Sequence, residues 1–287
     1  MKKIILIPQK NFFVTLIVAA CAFLFFVNCA SDGEDSTEIV EEILPIDPFS
    51  LEREEGGQDA INILTEEIYT SLTIELAYLE GNRPKQKSLD SLTVFINKRV
   101  YKSGGITYVE TVLPAEAMPS GVSLPYDEEK EIEQEYRTQF RSGTNLALWI
   151  LMVDEVMLNE DGTNDDSTIG SVYSNTGMVL SIPNITSTAE YSPISGYDGV
   201  EASTLQHEFC HWIGIFGPRA DAVHEAGEHE GVGDDGDGTG HCKVPTCLMY
   251  VTANNPLQGG YVSRVESGFL VELDALCIAD LQALGGK

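Results

Sequence analysis

Positive charge is what this chain has least of. Seventeen Lys and Arg stand against 45 Asp and Glu in 287 residues, a net charge of −28. A surface so acidic repels phosphate backbones and anionic lipid headgroups, which excludes nucleic acid and a bare anionic membrane as partners and leaves solubility as the role of the excess acid. Histidine is scarce as well, with five residues in all. Internal repeats are absent. A long, purely apolar run occurs only near the N-terminus, from Phe12 to Val27, broken by Thr15.

That run follows Lys2, Lys3 and Lys10 and precedes the polar stretch from Asn28 to Asp35. A basic start, an apolar centre and a small-residue exit describe an export signal, so the mature chain is expected outside the cytoplasm. A cysteine closing such a run, followed by Ser, Asp and Glu, resembles the lipidation site of a bacterial lipoprotein. Val18-Ala19-Ala20-Cys21 fits the usual lipidation box better than Phe26-Val27-Asn28-Cys29, yet cleavage at Cys21 would strand Phe23 to Val27 in water. Cys29 is therefore the expected anchor, with an uncleaved helix as the alternative. Residues 1–29 read as signal and lipidation region. Residues 30–57, rich in Asp and Glu and punctuated by Pro45 and Pro48, read as a flexible acidic tether. Residues 58–287 read as the folded domain, of a size to form one core or two subdomains around a cleft, acting as a monomer.

Within that domain Leu72 to Tyr78 has strand composition, and Leu89, Leu92, Phe95 and Ile96 fall on one helical face after Ser88. Ile106 to Val112 is a second β-rich run. Ile132, Tyr136 and Phe140 recur every four residues and predict a second amphipathic helix. Leu146 to Val153 is nearly all apolar, as a central strand covered on both faces would be. A polar loop follows, then a short strand from Met178 to Ile182 ending at Pro183, short enough either for the sheet edge, where an extended peptide could add, or for an ordinary hairpin arm. The expected fold class is α+β: a mixed sheet packed with helices, a catalytic helix under an edge strand and a small C-terminal subdomain.

The catalytic helix is expected at His207-Glu208-Phe209-Cys210-His211-Trp212-Ile213-Gly214, opened by Ser203 or Thr204 as cap. On a helix His207 and His211 lie one turn apart on one face, so both imidazoles can reach a single metal ion. Glu208 is rotated toward a water on that ion, where it can act as general base. Gly214, three residues after His211, can end the helix in a left-handed turn and send the chain back toward the metal. Two histidines do not complete a catalytic zinc site, which uses three protein ligands and an open position.

H-E-x-x-H-x-x-G resembles the metzincin zinc peptidases. Their third ligand follows three residues after the glycine, a place held here by Gly217, which cannot coordinate. The candidates are His224, His229 and His241. His241-Cys242-Lys243-Val244-Pro245-Thr246-Cys247-Leu248-Met249 reads H-C-x4-C-x-M and is similar to the segment that follows the glycine almost directly in archaemetzincins, which makes residues 216–240 an insertion. Exported bacterial metalloprotease lipoproteins are similar too, with a His- and Asp-rich loop at that place. The resemblance implies a Zn2+ ion held by His207, His211 and His241, with His224 or His229 as alternatives to the last, and Met249 in a methionine turn beneath the metal. It implies a zinc-dependent endopeptidase acting on a peptide or protein substrate. Tyr250 or Tyr261 could steady the developing oxyanion.

Four cysteines fall in the mature chain, Cys210, Cys242, Cys247 and Cys277. Outside the cytoplasm an even count suits two disulfides, most simply Cys242 with Cys247 and Cys210 with Cys277. A second zinc on Cys242, Cys247, Cys277 and one further group is the competing reading. Asp234-Asp235-Gly236-Asp237-Gly238 lacks the spacing of a calcium loop and reads as a solvated acidic segment. Gly217 and Cys210 also leave room for a binding protein on a degenerate peptidase scaffold, and a hydrolase of non-peptide amides or esters would use the same ion and base.

Overall fold

The computed structural model describes residues 47–118, 123–125, 127–159, 161–165, 168–191, 196–215, 241–244, 246–250 and 271–287. Its frame is a five-stranded sheet in the order β2-β1-β3-β7-β6. The strands are β1 (Ser71–Leu79), β2 (Ile106–Leu113), β3 (Asn145–Val153), β6 (Gly170–Val172) and β7 (Gly177–Ser181). β1, β2, β3 and β7 run parallel, and β6 closes the edge antiparallel to β7. A separate two-stranded ribbon joins β4 (Met157–Leu158) to β5 (Asn164–Asp165).

β3 shows why its run is apolar throughout. Leu146, Leu148, Ile150 and Met152 enter one core with Ile74 and Leu76 of β1, whereas Trp149, Leu151 and Val153 enter another with Ala77 and Val179. Successive side chains alternate faces, and helices cover both, so no position needs polarity. The first face carries α2 (Gln86–Arg99) and α5 (Gly196–Trp212), whose Leu89, Leu92, Phe95, Val200, Leu205, Phe209 and Trp212 share the larger core. Ile132 of α3 (Glu128–Tyr136) lies in the core of the second face. Short α1 (Ala60–Leu64), α4 (Ile182–Glu190) and α6 (Ala275–Ala283) complete the helices among the described residues.

The mixed sheet, its helices and the metal helix beside an edge strand match expectation, but the edge itself does not. The run expected there is β7, flanked by β3 on one side and β6 on the other. The edge is β6, hidden in a Gly- and Ser-rich segment too short and polar to signal a strand. Pro183 occupies the first turn of α4, where its missing N–H costs nothing, and Ser181 caps that helix by accepting from the Asn184 N–H at 3.4 Å. α5 begins at Gly196, so Ser203 and Thr204 are buried mid-helix, and Thr204 donates back to the Val200 carbonyl at 2.9 Å instead of capping.

α3 stops at Tyr136, and Phe140 stacks edge-on against Phe49 with centroids 5.0 Å apart. Arg137 leaves the helix in extended backbone (φ −64°, ψ 130°), and its guanidinium is buried. It turns inward to Glu133 (2.5 Å), Thr176 (2.8 Å) and the Ala147 carbonyl (3.0 Å). The compact unit begins at Ile46, so residues 47–57, read as tether, pack on the domain: Phe49 and Glu52 are buried and Glu52 pairs with Arg141 at 2.8 Å. Locally that stretch looks solvated because its partners lie far along the chain. Residues 1–46, including Cys21 and Cys29, lie outside the described residues.

Candidate metal centre

α5 presents His207 and His211 on one face with ring centroids 5.0 Å apart. The helix ends as its sequence predicts. Gly214 takes φ +77°, its N–H bonds to the His211 carbonyl (3.0 Å), and Ile215 N–H reaches back to the Cys210 carbonyl (2.9 Å). This pair of bonds around a left-handed residue satisfies carbonyls that the helix end would otherwise strand.

His241 joins the pair, with ring centroids 5.2 Å from His207 and 5.3 Å from His211. One nitrogen from each of the three imidazoles lies within 4.8 Å of the other two. His207 is 2% exposed, and His211 and His241 are half-buried.

Nδ1 of His207 lies 2.9 Å from the Leu248 carbonyl. A carbonyl only accepts, so the proton sits on Nδ1 and the Nε2 lone pair is free to face His241 Nε2 at 3.3 Å. Two nitrogens that close need a proton or a cation between them. In tetrahedral zinc with Zn–N of about 2.0–2.1 Å, neighbouring nitrogens lie roughly 3.3 Å apart, which is the spacing of the His207 and His241 nitrogens. The Leu248 carbonyl is the outer partner that fixes ring orientation.

Glu208 is 3% exposed, and burial pushes its carboxyl up to about 8. β6 crosses directly over it. A Cβ on Gly170 would sit 3.0 Å from Glu208 Cγ and 3.2 Å from its Oε1, so glycine is what allows the edge strand to lie this close.

A second group lies beyond the 246–250 turn. Cys242, Cys247, Cys277 and Asp274 bring their ligand atoms within 4.8 Å of one another. The expected disulfides are not made: none of the four cysteines is bridged, and Cys247 has its sulfur 3.6 Å from that of Cys277. Backbone N–H groups point at sulfur, from Val244 to Cys242 (3.2 Å) and from Met249 and Asp274 to Cys247 (both 3.4 Å). Cys242 and, next, Cys277 hold the Cys247 thiol well below its ordinary range, while their own thiols are pushed up. Donors converging on one thiolate suit metal ligation, and three sulfurs with one carboxylate match a closed zinc site. Asp274 is the fourth side chain of this group, one the sequence reading did not single out, and its Oδ1 also caps α6 by accepting from Leu276 N–H (2.7 Å) and Cys277 N–H (3.1 Å).

Cys210 is fully buried in the main core and belongs to neither group. Met249 is buried one residue beyond Leu248, and its carbonyl accepts from Cys242 N–H. His224, His229, Gly217, Tyr261 and the acidic run 234–238 lie outside the described residues.

No protein-family model and no curated protein matches the chain. Among solved structures it is similar to archaemetzincin from Methanopyrus kandleri, at 14% identity and TM-score 0.43, over 75% of this chain and 96% of that one. A zinc-dependent peptidase from Methanocorpusculum labreanum aligns at 12% identity and TM-score 0.42, over 72% and 99%. Metalloproteinase-II from Bacteroides fragilis aligns at 15% identity and TM-score 0.33, over 71% and 55%. With all three TM-scores below 0.5, function has to be argued from the chain's own side chains.

Proposed function

We propose that the chain is a zinc-dependent endopeptidase. The observation that carries this reading is the convergence of His207, His211 and His241 beside a buried Glu208 beneath the sheet edge. Those three imidazoles would hold the ion. Zinc, when bound, polarises a peptide carbonyl and makes nearby water more acidic. Glu208 takes the proton from that water on a carboxylate oxygen and returns it to the leaving amine. Burial alone raises this carboxyl, and a neighbouring dication draws it back down, so the two influences bring it toward the pH at which it must both accept and donate. β6 offers an edge on which an extended peptide passes over Glu208. The thiol group with Asp274 takes a second, structural zinc that braces the turn carrying Leu248.

Glu208→Gln keeps every ligand and removes the base. It should retain zinc by elemental analysis and lose casein cleavage. Hydrolysis at the wild-type rate would refute the role of Glu208. The same proposal places the enzyme outside the cytoplasm as a monomer, lipid-anchored through Cys29. Intact-mass measurement on membrane-extracted protein checks this, and an unmodified Met1 would rule out cleavage and acylation together.

A further inference from the structure

A cavity of about 230 Å³ lies on the sheet face opposite the metal helix, between the first turn of α3, the β4–β5 ribbon and strands β6 and β7. One water needs only about 10–15 Å³ of such space, so this is no packing defect; drug-sized ligands occupy pockets of about 300 Å³ and more, so its occupant is a side chain or a small molecule. Its walls are divided in character. Leu124, Met157 and Val179 are apolar, whereas Glu129, Asp165 and Ser171 offer oxygens. No Lys, Arg or His lines it among the described residues.

Glu129 is the anomaly. It is 9% exposed, and among the described residues no hydrogen bond reaches its carboxylate from another residue. Asp165, by contrast, accepts from Thr168 N–H at 3.0 Å. Burial outweighs the residue's own backbone N–H and the neighbouring Lys130 and raises the Glu129 carboxyl above its ordinary value. A cation entering the cavity would offset that burial cost directly. An ammonium group has three donors and no acceptor, which suits the carboxylate and hydroxyl oxygens of this wall; an aliphatic stem suits the apolar remainder.

We propose that this cavity is a binding site for a primary alkylammonium group, with the cation on Glu129 and the stem against Leu124, Met157 and Val179. The ligand is either a free small amine or a lysine side chain of a bound peptide. The site is separate from the imidazole group, and its existence does not depend on peptidase activity.

The test is ligand-observed NMR on the full chain at pH 6.5, where the amine is protonated and cannot ligate zinc, with n-butylammonium as probe and n-butanol and butyrate as stem-matched controls. Saturable n-butylammonium binding is expected, at least tenfold tighter than either control and weakened at least tenfold in Glu129→Gln. Diffuse attraction to a chain of net charge −28 would survive removal of one among 45 acids, so the variant separates site from surface. Binding should persist in His241→Ala. The comparison with butanol uses wild-type protein alone and holds even if Glu129→Gln folds poorly. N-acetyl-lysinamide binding with the same Glu129 dependence assigns the site to a peptide side chain; binding by n-butylammonium alone assigns it to a free amine. Absence of saturable binding, equal binding of butanol, or an unchanged affinity in a folded Glu129→Gln protein would overturn the proposal.

Discussion

The imidazole group and the thiol group sit on either side of one short turn and differ in every respect that separates a working metal site from a holding one. The first offers three nitrogens, and two of its three histidines are half-buried. The second offers three sulfurs and a carboxylate, and its three cysteines are buried. Catalytic zinc keeps a position free, and structural zinc is closed. The turn joins them: Leu248 holds His207 through its carbonyl, while its own N–H is held by the Glu272 carbonyl at 3.0 Å, two residues before Asp274. The lesson is that the second group orients the first, by fixing the backbone from which His207 takes its tautomer.

The comparison breaks most sharply in variants that touch one group only. Glu208→Gln should lower turnover about 10³-fold at unchanged zinc content, within the range that general bases contribute. Next in size, Cys247→Ala should release one zinc and lower the melting temperature by about 10 °C, equivalent to roughly 4 kcal/mol of lost binding linkage in a domain this large. It should also lower activity, because Leu248 loses its support. If Cys247→Ala melted and cleaved like the wild type, the second group would have no structural role.

Gly170→Ala should be milder. A methyl 3.0 Å from Glu208 Cγ displaces the base without touching a ligand, so turnover falls about tenfold while zinc content stays constant. Steady-state kinetics together with elemental analysis decide it, and an unaltered kcat would mean that β6 does not confine Glu208.

The smallest effect concerns pH in zinc-stripped protein. Glu208 titrates near 8 when folded and near 4.5 when unfolded. The unfolded chain gives up this proton first as pH rises, so the carboxyl contributes fully below about 4.5 and its contribution is lost up to about 8. Denaturant melts should therefore show Glu208→Gln gaining on wild type across that window, by an amount on the order of a few kcal/mol. A stability difference independent of pH would contradict the buried carboxyl with its raised titration.

How much could be read beforehand follows the range of each signal. Composition exposed β1, β2 and β3 and helical spacing exposed α2, because each carries its apolar signal within its own run. The pair on α5 and the helix-ending Gly214 were legible for the same reason, since spacing along one helix is spacing in space. β6 escaped because Gly170 is chosen for closeness to Glu208 and not for strand propensity, and the three-residue strand leaves only Ser171 and Val172 to signal it. The roles of Glu52 and Arg137 escaped because a buried ion pair between distant residues leaves no local trace. Asp274 and the Leu248 carbonyl belong to the same class: one is a single acid among 45, the other a backbone atom that every residue possesses.

The most direct measurement is an anomalous-scattering map at the zinc edge from crystals of the full chain grown with zinc. The account predicts a peak bounded by His207 Nε2 and nitrogens of His211 and His241, and a second peak among Cys242, Cys247, Cys277 and Asp274. A map with no zinc among the three imidazoles, or with a thiolate filling the position left for water, would contradict it.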